Sequence, residues 1–225
     1  MSRHERSSHQ PALDGLRGVS VLLVLLFHQG FEWMGGGYVG VSVFFTLSGY
    51  LITSLLVLEH GSTSRISARA FYARRIRRLL PASLLCLVGV SIAARAGAFP
   101  PVAHLDRAVL GALGQVANWE ALSRHSSYAA LLTGGATPID HFWSLAVEEQ
   151  FYIVWPLLFL AAFTRRRPSI LAVLGTVLAI ATVWAVRAAM YVDGAPWQFV
   201  YRSLVTRADA LLVGALVAQL WVRGL

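Results

Sequence analysis

The sequence predicts an all-α fold, a polytopic bundle of transmembrane helices with six spans and one short re-entrant or interfacial helix. Hydrophobic residues make up 56% of the 225 residues and charged residues only 13%, whereas a soluble domain has about 25% charged residues. The mean hydropathy is +0.61. Several apolar runs reach the ~20 residues that an α-helix needs to cross a bilayer.

The first predicted span runs from about Ala12 to Met34, and the second from about Tyr38 to Leu58. Residues 59–80, the basic segment, follow the second span and are predicted to form a loop. Positive charge this close to membrane spans indicates the cytoplasmic side, which also places the N-terminus, two crossings earlier, in the cytoplasm. The polar residues 1–11 are therefore predicted to form a cytoplasmic tail, and residues 12–225 the membrane domain. The arginines of the basic segment are Arg65, Arg69, Arg74, Arg75, Arg77 and Arg78.

The third span is predicted from roughly Leu79 to Ala98. Residues 105–120 are apolar but too few for a full crossing, so they predict the re-entrant or interfacial helix. A polar, glycine-containing loop follows over residues 121–140, and a loop of this length is usually functional.

Three further spans complete the bundle: His141 to Phe163, Ser169 to Met190, and Leu204 to Val222. The first of these exits into the arginines 165–167, which predicts a crossing from outside to inside. Arg207 and Asp209, in the first turns of the last span, are predicted to be an interfacial ion pair.

The net charge of +8 is that expected of basic cytoplasmic loops facing an anionic leaflet, and nucleic-acid binding is not predicted. Cys86 is the single cysteine, which excludes an internal disulfide. The seven histidines do not have metal-ligand spacings, so no metal site is predicted.

The first span carries an ionisable stripe. Arg17 and His28 are eleven residues apart, which on a helix places them within about 20° of each other and about 16 Å apart along the axis. Asp14 and Glu32 extend the same stripe. Such a stripe is costly in lipid and should face the protein interior or a wet cavity. The alternative is that Asp14 and Arg17 form a capping pair at the water line, which leaves His28 unexplained.

Two further sets of charged residues are candidates for the site. Glu148 and Glu149 lie inside a span and point about 100° apart, so only one can face a given cavity; the alternative is a structural pair with an arginine. The arginines Arg74, Arg77 and Arg78 share one helix face that could bind phosphates bidentately. Their alternative role is purely topological.

Five stretches occur in a fixed order over nearly the whole chain: LDGLRGVSVLLVLLFH, GGYVGVSVFFTLSGYLIT, FYARRIRRLLPA, HFWSLAVEEQFYIVWP and RADALLVGAL. Together they resemble the acyltransferase-3 family of integral membrane O-acyltransferases. The resemblance implies transfer of acyl groups, often acetyl from acetyl-CoA, onto hydroxyls of saccharides, lipids or antibiotics. It implies that Arg17 and His28 are the essential pair of the family and that Glu148 is its acidic position. It also implies that Arg74–Arg78 are its cytoplasmic arginine motif.

Two departures from the family are evident. Ser42 stands where many members carry Asp. Family domains also have more helices than this chain holds, so residues 12–225 are expected to be the N-terminal part of such a domain, incomplete at its C-terminus.

The mechanism predicted is acyl transfer in the cell membrane. Acyl-CoA phosphates dock on Arg74, Arg77 and Arg78 with help from Arg17. His28, whose ordinary pKa suits neutral pH, acts as general base on an acceptor hydroxyl or accepts the acyl group itself. Glu148 or Glu32 orients it. The alternatives are a transporter or flippase component, in which the stripe lines a path, and a non-catalytic membrane scaffold.

Overall fold

The computed structural model describes residues 11–63, 67–102, 104–124, 137–162 and 169–224. Helices, and no strands, form the regular structure of these ranges, which confirms the all-α prediction. The helices are α1 (Pro11–His28), α2 (Val39–Thr63), α3 (Ala68–Arg95), α4 (Leu105–Leu113), α5 (Ala117–Arg124), α6 (Phe142–Ala162), α7 (Ile170–Val192), α8 (Trp197–Arg202) and α9 (Leu204–Arg223).

Five segments of the described residues are long and apolar enough to cross a membrane. The helix α6 has 21 residues and is not among these five. The chain is thus a multi-pass membrane protein with five candidate spans. These are Pro11–His28, Glu32–Gly61, Ala68–Arg95, Ile170–Val192 and Trp197–Arg223.

The helices α2 and α6 run parallel through the centre of the bundle. Ser48 donates a hydrogen bond to Glu148 at 3.0 Å, and Trp155 Nε1 donates to Thr53 Oγ1 at 2.8 Å. From the first pair to the second, the residue number rises on both helices. The helices α2 and α6 are therefore parallel. These polar contacts satisfy side chains that would otherwise be buried without partners.

The helices α2 and α9 cross in close backbone contact. A Cβ at Gly49 would collide with the carbonyl group of Leu211, and one at Gly214 would collide with the carbonyl oxygen of Thr46. Only glycine permits such an approach. Arg207 donates a hydrogen bond to Ser42. Arg207 precedes Leu211 on α9, and Ser42 precedes Gly49 on α2, so the two helices run parallel.

The remaining long helices run the opposite way. The phenol of Tyr72 donates to the carbonyl oxygen of Tyr152 at 3.0 Å, and Arg75 pairs with Glu149 at 2.5 Å, so α3 is antiparallel to α6. The helix α1 is antiparallel to α2, and α7 is antiparallel to α9. The pairs that establish this are Ser20–Gly40, Leu23–Gly37, Arg187–Asp209 and Thr176–Gln219.

The apolar core lies between α2, α6 and α9. Phe45 and Leu56 of α2, Val147 and Phe159 of α6, and Leu211 of α9 are almost wholly buried. This core holds the three parallel helices together and fixes their registers.

The predicted bounds of the first span are too long. The helix α1 ends at His28, because Gly30 adopts a positive φ of 75°, which glycine favours at helix ends. Glu32 lies in a separate short 3-10 helix, Glu32–Met34. The prediction that Glu32 extends the stripe of α1 is therefore wrong.

Two other boundaries also differ from the prediction. Most of the basic segment, predicted as a loop, is helical, since α3 begins at Ala68. Residues 105–120 hold parts of two short helices, α4 and α5, rather than one, because Gln115 adopts a φ of 56° between them. The tail 1–10, Arg65, most of the loop 121–140 and the arginines 165–167 lie outside the described residues.

Candidate functional site

A pocket of about 200 Å³ lies between α1, α2 and α6. Its walls are mainly apolar, with Ser20, Ser144 and Glu148 as the polar side chains. Apolar walls with a few polar groups are typical of small-molecule sites. Among the residues that the structure describes, no group of three or more metal-ligating side chains is found.

Gly40 brings the walls of the pocket together. A Cβ at this position would lie 2.5 Å from the carbonyl oxygen of Ser20 and 3.0 Å from the side chain of Val24. The absence of a side chain at Gly40 therefore allows α1 to pack in direct contact with α2. Ser20 donates its own hydroxyl to the carbonyl oxygen of Leu16 at 2.7 Å, which removes a polar group from the pocket surface.

Arg17 and His28 flank the pocket along α1. The α1 residues that line the pocket fall between them: Ser20, Val21, Val24 and Leu25. Arg17 retains 25% of its side-chain exposure and lies 3.7 Å from Asp14, as the capping alternative predicts. Its Nε is nevertheless buried with no hydrogen-bond partner.

His28 is the last residue of α1 and is exposed. Its Nδ1 lies 2.8 Å from the carbonyl oxygen of Val24. A carbonyl only accepts hydrogen bonds, so Nδ1 carries the proton and Nε2 of the neutral ring has a free lone pair. This tautomer is the one in which Nε2 can accept a proton.

The adjacent carboxylates of α6 are divided between two environments. Glu148 is buried, lines the pocket and accepts the hydrogen bond from Ser48. Glu149 faces α3 instead and pairs with Arg75. Glu148 thus lies in the pocket wall, and it is Glu149 that forms the ion pair with an arginine, Arg75.

Arg17 and Arg75 both lie within electrostatic range of Glu148. The guanidinium of Arg75 also stacks 3.6 Å from the ring centre of Tyr152. A carboxylate buried in a membrane protein is costly unless cations or donors stabilise it. Arg17, Arg75 and the hydroxyl of Ser48 each offset part of this cost.

The sequence did not distinguish Arg75 from its neighbours. Arg74, Arg77 and Arg78 are exposed on α3, as a phosphate-binding face requires. Arg74 lies 3.6 Å from Glu59, and Arg77 Nε donates to the carbonyl oxygen of Ala73 at 3.2 Å. Arg75 is turned about 100° from Arg74 around the helix, and this offset directs it to α6.

His141, just before α6, was also missed. Burial lowers the pKa of His141 below its ordinary value, and nearby His28 lowers this pKa further, while Asp140 and a hydrogen bond to the carbonyl group of Pro138 oppose the shift. The structure therefore places two imidazoles within electrostatic range of each other where α1 ends and α6 begins.

The lowered pKa of His141 makes the stability of the fold depend on pH. The neutral ring contributes fully above the ordinary pKa of about 6.5, and this contribution is lost as the pH falls through that value, because the unfolded chain binds the proton more readily. We expect the unfolding temperature to fall more between about pH 7.5 and 5.5 in the unmodified protein than in His141→Gln. A His60→Gln control should keep the full decrease, and an equal decrease in all three proteins would contradict this assignment.

Arg207 and Asp209 do not form the predicted interfacial ion pair with each other. Asp209 accepts hydrogen bonds from Arg187 at 2.7 Å and from Trp184 at 3.1 Å, both on α7. Arg207 instead donates to the hydroxyl of Ser42 at 2.8 Å. The prediction failed because residues two apart on a helix point away from each other.

The fold defines a multi-pass membrane protein with an apolar pocket that has a buried carboxylate in its wall. The acyltransferase-3 family model, described as an acyltransferase domain, matches residues 10–225. The chain belongs to this family, as the motifs predicted.

Curated relatives have names that agree with this family. The peptidoglycan O-acetyltransferase OatA of Listeria monocytogenes is 36% identical over 98% of this chain and 36% of its own length. A candidate peptidoglycan O-acetyltransferase of Bacillus subtilis, YrhL, is 35% identical over 97% of this chain and 34% of its own length. A candidate O-acetyltransferase of Staphylococcus aureus is 32% identical. The chain thus spans about a third of the length of these relatives, and no solved structure matches it.

Proposed function

We propose that this chain is the membrane domain of an O-acyltransferase that moves an acetyl group from cytoplasmic acetyl-CoA to a hydroxyl of a saccharide or lipid acceptor. The observation that carries the proposal is the pocket between Arg17 and His28, with Glu148 in its wall. The free lone pair of His28 Nε2 and the names of the relatives, two of them peptidoglycan O-acetyltransferases, support it.

The proposed site extends through the thickness of the bundle. We take α6 as the sixth crossing, since it runs parallel to α2 and α9 and antiparallel to α3. With the arginines of α3 in the cytoplasm of the cell, α1 crosses outward, so Arg17 lies toward the cytoplasm and His28 toward the outer face of the plasma membrane. The N-terminus is then cytoplasmic.

The donor binds at the cytoplasmic end. Arg74, Arg77 and Arg78 form an exposed cationic face to which the CoA phosphates bind. The Nε of Arg17 is buried and has no hydrogen-bond partner. Arg17 donates a hydrogen bond to acetyl-CoA farther into the bundle. The pocket between Arg17 and His28 receives the acyl thioester.

Transfer then takes place beside His28. In direct transfer, Nε2 accepts the proton of the acceptor hydroxyl while its oxygen attacks the thioester carbonyl; the C–S bond breaks, and the departing thiolate takes the proton from the imidazolium. In the second route, Nε2 attacks the thioester carbonyl first, the C–S bond breaks, and CoA leaves as the thiolate. The acceptor oxygen then attacks the acyl carbon, the bond from that carbon to Nε2 breaks, and the hydroxyl proton neutralises the thiolate. Glu148 balances the positive charge at Arg17 and Arg75 in both routes.

The donor face is tested by removing two of its charges. We expect the double variant Arg77→Gln/Arg78→Gln, in protein expressed from its complete reading frame and reconstituted in vesicles, to raise the KM for labelled acetyl-CoA about tenfold or more, since a charge-assisted bond to phosphate is worth about 1.5–3 kcal/mol. The value of kcat should change little, because these arginines bind the ground state and transition state equally.

The matched control is Arg95→Gln, an exposed arginine at the other end of the same helix. It removes positive charge from α3 without touching the donor face. An unchanged KM in the double variant, or an equal increase with Arg95→Gln, would refute the donor face. A protein without acetyl transfer to any hydroxyl acceptor would refute the proposed function.

A further inference from the structure

Arg207 occupies an unusual position for a cation. It lies one turn into α9, and its guanidinium is 5.0 Å from the ring centre of Tyr201 and 5.7 Å from that of Phe45. Its Nη2 donates to the neutral hydroxyl of Ser42. Its Nε is buried and has no hydrogen-bond partner. A buried charged donor without a partner is costly unless something else binds it.

The charges around Arg207 leave it without a carboxylate of its own. Asp209 lies within electrostatic range of it, but both Arg187 and Trp184 already donate to that carboxylate. Asp140 lies 3.8 Å from Arg202. Among the described residues, the hydrogen bond of the Arg207 guanidinium thus goes to a neutral hydroxyl, that of Ser42, and not to a carboxylate.

Aromatic rings surround the same position. The ring of Tyr201 lies 5.0 Å from that of Trp143, 6.1 Å from Trp197 and 6.4 Å from Tyr38, measured between centres. Tyr38 and Trp197 are exposed. Aromatic side chains at a membrane–water interface are common without any ligand, which explains their exposure but not the Arg207 Nε that has no hydrogen-bond partner beneath them.

This cluster also connects to the pocket. Phe45 lines the pocket on one side of α2 and lies below Arg207 on the other. The ring of Phe27 lies 6.0 Å from Tyr38 and 5.4 Å from His28. A continuous series of ring contacts, through Tyr201, Tyr38 and Phe27, thus connects Arg207 to His28.

We propose that Arg207, Ser42 and Tyr201 form a binding site for an anionic group, a carboxylate or a phosphate, on a saccharide acceptor. A guanidinium fork is suited to either group, and the flat faces of Tyr38 and Trp197 are suited to the apolar faces of sugar rings. The identification of this ligand as the acceptor rests on the proposed function. In that role, the site orients an acceptor hydroxyl toward His28.

The test is equilibrium binding without acetyl-CoA. The protein, expressed from its complete reading frame, is placed in lipid nanodiscs and titrated with three tetrasaccharides of N-acetylglucosamine: one neutral, one ending in a uronic acid, and one carrying a phosphate. We expect at least one acidic form to bind about tenfold more tightly than the neutral form, and the tighter of the two identifies the anionic group. Equal binding of all three would overturn the proposal.

Two variants connect any preference to Arg207. Arg207→Gln keeps hydrogen-bond donors without the charge and should abolish the preference for the acidic form while changing neutral binding less than about twofold. Ser42→Asp places a carboxylate against Arg207 and should abolish the preference as well. In this variant the guanidinium is kept, but the new carboxylate occupies it. Arg95→Gln is the matched control, because it removes a positive charge away from the site, and it should keep the preference.

Persistence of the preference in Arg207→Gln or in Ser42→Asp, or its loss in Arg95→Gln, would refute the site. Because binding is measured without a donor, the result is separate from the proposed activity. Selective binding of an acidic tetrasaccharide in a protein that transfers no acetyl group would support the anion site and refute the acyltransferase assignment.

Discussion

Replacing His28 with glutamine is expected to lower acetyl transfer by about two orders of magnitude or more, the usual contribution of a general base. Glutamine can keep a hydrogen bond to the carbonyl oxygen of Val24 but has no basic nitrogen to accept the acceptor's proton. The measurement is transfer of labelled acetyl from acetyl-CoA to an oligosaccharide by the reconstituted protein. Binding of acetyl-CoA should remain within about twofold, because the donor face lies at the opposite end of the bundle.

The control for His28→Gln is His60→Gln, which changes a histidine in the last turns of α2. It should transfer acetyl at the rate of the unmodified protein. Undiminished transfer by His28→Gln would end the proposed role. Brief incubation with labelled donor and no acceptor separates the two routes: an acyl-imidazole intermediate labels the unmodified protein but not His28→Gln, whereas direct transfer labels neither.

The positions of the long helices are largely encoded in local sequence. Apolar runs of sufficient length, ended by arginines or glycines, locate most of them without knowledge of their neighbours. The start of α3 was placed too late because the basic segment was interpreted as a loop, whereas arginine has good helix propensity. The length of α1 was overestimated because hydropathy does not detect the positive φ at Gly30.

The candidate site could be predicted only where it follows helical periodicity. Arg17 and His28 were found because their spacing on one helix is fixed, and Glu148 because a carboxylate inside a span is conspicuous. The contacts of Arg75 with Glu149 and of Arg207 with Ser42 join residues 74 and 165 positions apart. No local pattern specifies such pairs, since they depend on how helices distant in the sequence pack against each other: α3 against α6, and α9 against α2.

The second large effect is expected at the crossing of α2 and α9. A methyl group at Gly49 would overlap the carbonyl group of Leu211, and a backbone carbonyl within a helix cannot rotate away as a flexible side chain can. We expect Gly49→Ala to separate the two helices and to lower the free energy of unfolding by about 1–3 kcal/mol or more. The measurement is reversible unfolding in mixed detergent micelles.

Gly89→Ala is the matched control, because nothing lies within 4 Å of a Cβ at this position in α3. The same added methyl should there be neutral or raise stability by about 0.5–1 kcal/mol through helix propensity. Since α2 also carries Gly40 and Phe45 in the pocket wall, Gly49→Ala should lower acetyl transfer as well, and Gly89→Ala should not. Equal stability of the two variants would mean that α2 and α9 do not make this contact, and the position of Arg207 against Ser42 would lose its support with it.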